Sequence, residues 1–81
     1  MMIEVRAADI RKGIRKVPSQ CPIAHACKRA FPGAQVSVGF RTVLFGFGNT
    51  RPARLSRSAL RFVRAFDAGR KVKPFRFWLA L

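Results

Sequence analysis

Acidic side chains are scarce in this 81-residue sequence: Glu4, Asp9 and Asp67 stand against 17 lysines and arginines. They are scattered along the chain, so no pair of carboxylates is offered for general acid and base work. Cysteine is almost as scarce. Cys21 and Cys27 make no disulfide framework, and a helical separation of six residues holds their Cα atoms about 9 Å apart, beyond bridging range. His25 is the only histidine. With Cys21 and Cys27 it supplies three side chains where a structural zinc site needs four, and no C-x-x-C pair is present. Cys21 at a helix start with His25 one turn on lacks a third group to orient the histidine, so nucleophilic catalysis is not indicated. The expectation is a non-enzyme with no metal and no cofactor.

Long apolar runs are also missing. None approaches the ~18 residues of a membrane span, and the opening Met-Met-Ile-Glu-Val-Arg lacks the charged-then-apolar order of a signal peptide. An intracellular protein is expected. What is present is a formal charge of +14 on a chain that is 49% hydrophobic, with eight phenylalanines and Trp78. That is too apolar for a disordered basic tail. The length suits one domain, residues 1–81, burying roughly 60% of the surface its unfolded chain exposes. An excess of charge this large repels itself in the compact state, which argues for an anionic partner.

Ile3-Glu4-Val5-Arg6 alternates apolar and charged, as a strand does, with Ile3 and Val5 facing in. Ala7 to Lys12 reads as a short helix stopped by Gly13, followed by a polar connector from Ile14 to Gln20. A second helix starts at Cys21-Pro22 and ends before Pro32-Gly33, with Ile23, Ala24, Cys27, Ala30 and Phe31 inward and His25, Lys28 and Arg29 toward water. Val36-Ser37-Val38 and Val43 to Phe47 read as a hairpin around Gly39-Phe40-Arg41-Thr42. Gly48 to Pro52 is a loop by composition. The third helix, from about Ser56 to Ala68, is capped near Ser56, stopped at Gly69, and carries Ala59, Phe62, Val63 and Phe66 at helical spacing. Beyond Lys73-Pro74, Phe75, Phe77, Leu79 and Leu81 alternate with Arg76, Trp78 and Ala80 in a last strand. With the two small helices counted as one crossover, the order is βαββαβ. The expected fold is α+β, an antiparallel sheet of about four strands with helices on one face.

Arg54, Arg57, Arg61 and Arg64 are spaced 3, 4 and 3 apart, so a helix reaching back to Arg54 carries them as one stripe about 15 Å long. Such a face ordinarily mixes signs for solvation, but this one has no acid to relieve the i, i+4 repulsion. Arginine also suits a two-pronged grip on phosphate or carboxylate. A second basic set, Arg11, Lys12, Arg15 and Lys16, surrounds the first helix and its connector. A third, Arg70, Lys71 and Lys73, suits the negative end of the third helix's dipole. Asp67, beside Arg64 and Arg70, reads as their charge partner.

Phe45, Phe47, Phe75 and Phe77 sit on what read as adjacent strands. Such aromatics can form a platform for stacking bases, and Phe45-Gly46-Phe47-Gly48 echoes part of the RNA-recognition-motif octapeptide. No basic residue plus glycine precedes it and no aliphatic follows, so core packing is the reading preferred. Arg76 and Trp78, on the opposite face of the last strand, are the better candidates for an exposed contact.

Asp9-Ile10 with Gly13, Cys21-Pro22-Ile23-Ala24, Val36-Ser37-Val38, and Phe62-Val63-Arg64-Ala65-Phe66-Asp67-Ala68-Gly69 with Val72, Pro74-Phe75 and Phe77 resemble small uncharacterised proteins of bacteriophages and prophages. The resemblance spans most of the chain in the same order. Its most specific parts are the Cys21-Pro22-Ile23-Ala24 turn, a helix start, and the segment from Phe66-Asp67-Ala68-Gly69 to Pro74-Phe75, a helix end leading into a strand. It implies no catalytic residue and a bacterial cytoplasm as the setting, and against its less basic pattern the 17 cations are this chain's departure.

Two functions follow as expectations. One is a phage-type protein that engages DNA or RNA through Arg54, Arg57, Arg61 and Arg64, with Arg11, Lys12, Arg15 and Lys16 on phosphates. Contacts would be largely independent of sequence, since no helix-turn-helix pattern is visible. The other is an anti-defence inhibitor of the anti-CRISPR type, which covers an acidic surface or a nucleoprotein complex of the host. Its charge excludes mimicry of DNA. Arg76 and Trp78 belong to the candidate contact set in either case.

Overall fold

The computed structural model describes residues 1–80. In chain order it has β1 (Met2–Val5), α1 (Ala7–Lys12), α2 (Pro22–Ala30), β2 (Gln35–Val38), β3 (Thr42–Phe47), β4 (Asn49–Arg54), α3 (Arg57–Asp67) and β5 (Phe75–Trp78). The class is α+β, but the strands form two antiparallel sheets instead of one. β1 pairs with β5, and β2, β3 and β4 form a separate meander in that order. α2 packs against both β1 and β2, so it bridges the sheets rather than covering one face of a continuous one.

The extra strand is β4, which falls where loop composition was expected. Gly48 alone separates Phe47 from Asn49, and the register runs from Phe47 opposite Asn49 to Thr42 opposite Arg54. Two glycines make this turn possible. Gly48 has φ +101°, and a Cβ on Gly46 would collide with the Asn49 carbonyl oxygen. Pro52 is tolerated because β4 is an edge strand, where one missing N–H donor breaks no ladder. The Phe-Gly-Phe-Gly run thus has a structural cause in the hairpin.

Most other elements follow their periodicity. In β1 and β5 the inward positions Ile3, Val5 and Phe77 are buried, as is Leu79 just beyond β5, and Glu4, Arg76 and Trp78 are exposed. Leu81, expected to continue the alternation, lies outside the described residues. α1 begins where the Arg6 N–H donates to Asp9 Oδ2 at 2.8 Å. Gly13 ends it, and any Cβ there would lie 2.6 Å from the Pro22 ring, so the connector can pass α2 only as glycine. α3 is capped by Ser56, whose hydroxyl accepts from the Ala59 N–H at 3.3 Å. It ends as a Schellman turn, with Gly69 at φ +78° and the Arg70 N–H donating to the Ala65 carbonyl.

The buried side chains form one cluster that draws on both sheets and on α2 and α3, including Ile3, Ile23, Cys27, Val43, Ala59 and Phe77. Phe62 of α3 stacks on Phe75 of β5 with ring centroids 4.6 Å apart, and Phe75 lies 5.6 Å from Phe77. The phenylalanine set is otherwise not as expected. β3 and β5 belong to different sheets, Phe45 instead meets Phe31 at 4.9 Å, and Phe47 is 67% exposed. On α2, Ala26 is buried while Ala30 is exposed. His25 does not face water as expected, because its Nε2 is buried and has no hydrogen-bond partner.

Candidate nucleic-acid interface

Helix α3 supplies the best-ordered basic surface. Arg57, Arg61 and Arg64 are all exposed, on the face opposite buried Ala59 and Phe62. Their span of seven residues is about 10 Å along the axis. Arg54 is not part of this helical stripe. It ends β4 opposite Thr42, and with Ser56 as the N-cap the helix cannot reach back to it. Arg54 is exposed just before the helix start, so it extends the charged surface from a neighbouring strand.

The connector after α1 brings Arg15 and Lys16 to the other end of α3. The Lys16 N–H donates to Asp67 Oδ1 at 3.0 Å, and the Arg15 guanidinium sits against the Cα of Gly69, where a Cβ would lie 2.6 Å from Nη1. Asp67 is therefore not the charge partner of Arg64 and Arg70, since no cation of the described residues lies within 4 Å of it. Arg11 and Lys12 are exposed in the last turn of α1, which packs on α2. No side-chain hydrogen bond or ion pair of the described residues joins them to the α3 end of the connector.

Of the 17 cations only Arg6 and Arg29 pair with a carboxylate of the described residues. Arg6 meets Glu4 at 2.6 Å, and Arg29 meets Asp9 at 2.5 Å. The Arg6 hydrogen bond is the main reason Glu4 is held below the ordinary carboxylate range. For Asp9 burial pulls upward, but the Arg29 hydrogen bond, the Arg6 N–H and the Arg29 charge together outweigh it and lower its pKa. The cations on α3, β4 and the connector have no carboxylate partner among the described residues.

Arg76 and Trp78 are exposed on β5, as their alternation requires, with Trp78 61% exposed opposite Met2. They stand on the β1–β5 sheet and not on the arginine face of α3. Cys21 is the N-cap of α2 and Cys27 lies in the core. Burial pushes the Cys21 thiol up and the Cys27 thiol up to about 12. Both are neutral and poorly nucleophilic near pH 7. Among the described residues no cluster of three His, Cys, Asp or Glu side chains could hold a metal ion, and no helix is long and apolar enough to cross a membrane.

One feature had no sequence signal. A cavity of about 430 Å³ opens between the connector, the start of α2, the β2–β3 turn and the flank of α3, lined by Val17, Pro18, Cys21, Val38, Val63 and Asp67 among others. Its lining comes from three separate stretches of chain, so no local pattern could show it.

Compared with protein-family models, with curated proteins and with solved structures, the chain has no significant match in any of the three.

Proposed function

We propose that this chain is a small basic binding protein of the phage type, without catalysis of its own, that engages nucleic acid or a nucleoprotein complex through the arginine face of α3. The observation that carries this reading is the set Arg57, Arg61 and Arg64: exposed, on one side of one helix, with no carboxylate of the described residues to neutralise it. Arg54 continues that set from β4, and Arg15 and Lys16 from the connector. Arg11 and Lys12 add charge on α1. The grip is on phosphate, so it is largely independent of sequence.

Titration of labelled duplex and single-stranded oligonucleotides over a range of salt tests the reading. With about six phosphates neutralised, log K falls with log salt at a slope of about −5 on duplex. Arg57→Ala, Arg61→Ala and Arg64→Ala each make the slope shallower by about one unit. An affinity that does not change from low to moderate salt excludes the reading.

A second reading, an anti-defence inhibitor that docks on a host effector complex, draws on Trp78 and Arg76. Tryptophan and arginine dominate the energetics of protein interfaces, and here both are exposed on one short sheet beside an exposed Met2. A stoichiometric complex that survives nuclease and is lost with Trp78→Ala supports it over the first.

A further inference from the structure

The cavity beside α3 sits among three unusual features. Phe40, at its rim in the β2–β3 turn, is 95% exposed. Lys16, also on the rim, holds φ +63°, the only positive φ outside glycine among the described residues. A side chain in that region is uncommon and costs on the order of 1 kcal/mol, and such strain gathers at binding sites. Asp67 is the one acid without a cationic partner among the described residues. Its Oδ1 accepts from the Lys16 N–H, and no hydrogen bond of the described residues engages Oδ2.

We propose that this cavity takes one unstacked base of a single-stranded nucleic acid whose phosphates lie on the arginine face. The inference rests on the nucleic-acid reading and deepens it by naming the strand type and the base-reading group. A cavity of about 430 Å³ is small for a ligand cleft, and a single heterocycle suits it. Val17, Pro18, Val38 and Val63 give it apolar walls, and Phe40 offers the ring face on which a base stacks. Asp67 supplies an acceptor for an exocyclic amino group, as a carboxylate does for the cytosine N4 amine. Thymine presents a carbonyl there and gains nothing from it. Arg64 lies one turn before Asp67 and Arg15 lies against Gly69 just after it, so phosphates on both sides of an inserted base find a guanidinium.

The test uses the whole protein with oligo(dC) and oligo(dT) of about twelve nucleotides and a duplex of equal length, near pH 7.5, with affinity read by fluorescence anisotropy. The wild type is expected to bind the single strands more tightly than the duplex and oligo(dC) more tightly than oligo(dT). Phe40→Ala lowers single-strand affinity at least about fivefold without changing the salt slope. Phe47→Ala, an exposed phenylalanine away from the cavity, leaves affinity unchanged. Asp67→Asn keeps an acceptor for the Lys16 N–H and turns an amide N–H₂ toward the cavity, so it reverses the preference to oligo(dT).

If affinity falls with Arg61→Ala but not with Phe40→Ala, and the two oligonucleotides bind alike, the base site is overturned and the phosphate grip stands. Binding of duplex as tight as single strand also overturns it. If no oligonucleotide binds, both readings fall together.

Discussion

Nη1 of Arg29 on α2 lies 2.5 Å from Oδ1 of Asp9 on α1, and its Nη2 donates to the Glu4 carbonyl of β1 at 2.7 Å. One guanidinium thus ties three elements together, and Asp9 is the single buried acid of the described residues. Asp9→Ala removes the pair and the cap at Arg6 together. Because Arg29 is partly in water, the expected loss is about 2 kcal/mol, less than for a fully buried pair. Thermal melts should show a fall of roughly 10 °C.

The same pair sets the response to acid. Asp9 has its pKa lowered in the fold from an ordinary value of 3.8, so its contribution is complete above that value and is lost as pH falls through the lower, folded one. Asp9→Asn should therefore lose less stability than the wild type as pH falls below about 4. Urea midpoints across that window check it.

Cys27 predicts the alkaline side. A thiol raised from 9.0 to about 12 keeps its proton in the fold after the unfolded chain has lost it, so stability is full below pH 9 and declines from there to about pH 12. Cys27→Ala makes that decline shallower, at a cost of about 1 kcal/mol for the space it leaves. Alkylation at pH 8 should label Cys27 only at the rate of unfolding.

The arginine face should carry a cost in stability that salt relieves. With a charge of +14 the wild type melts higher as ionic strength rises. Arg61→Glu places an acid between Arg57 and Arg64 and adds a few tenths of a kcal/mol at low salt. Its melting point should exceed that of the wild type there, the gap closing in about 0.5 M salt, while its affinity for nucleic acid falls.

Gly46 makes a sharper case in the β3–β4 turn. Gly46→Ala forces a methyl group against the Asn49 carbonyl and should cost about 2 kcal/mol, whereas Phe47→Ala, whose ring is mostly in water, should cost well under 1 kcal/mol. Denaturant titration separates the two.

Where a local period decides an element, the sequence was enough to place it. α3 with its Ser56 cap and Gly69 stop, the hairpin of β2 and β3, and the alternation in β5 all follow from spacing. β4 was hidden because Asn49, Thr50 and Pro52 are turn formers, and only its edge position makes them acceptable in a strand. The choice of β5 as partner for β1, with no link to the meander, depends on long-range packing that no window of residues encodes. In the candidate site, the exposure of Arg57, Arg61, Arg64 and Arg76 was legible from periodicity. The bond between Lys16 and Asp67 was not, because it joins residues 51 apart and requires a backbone conformation that lysine rarely takes.

The two-stranded sheet has a mechanical consequence. Met2 pairs with Trp78 and Val5 with Phe75, so residues 2 and 78 meet at one end of the ladder. Tension applied through residues 1 and 80 peels β1 from β5 one bond at a time instead of shearing all of them together.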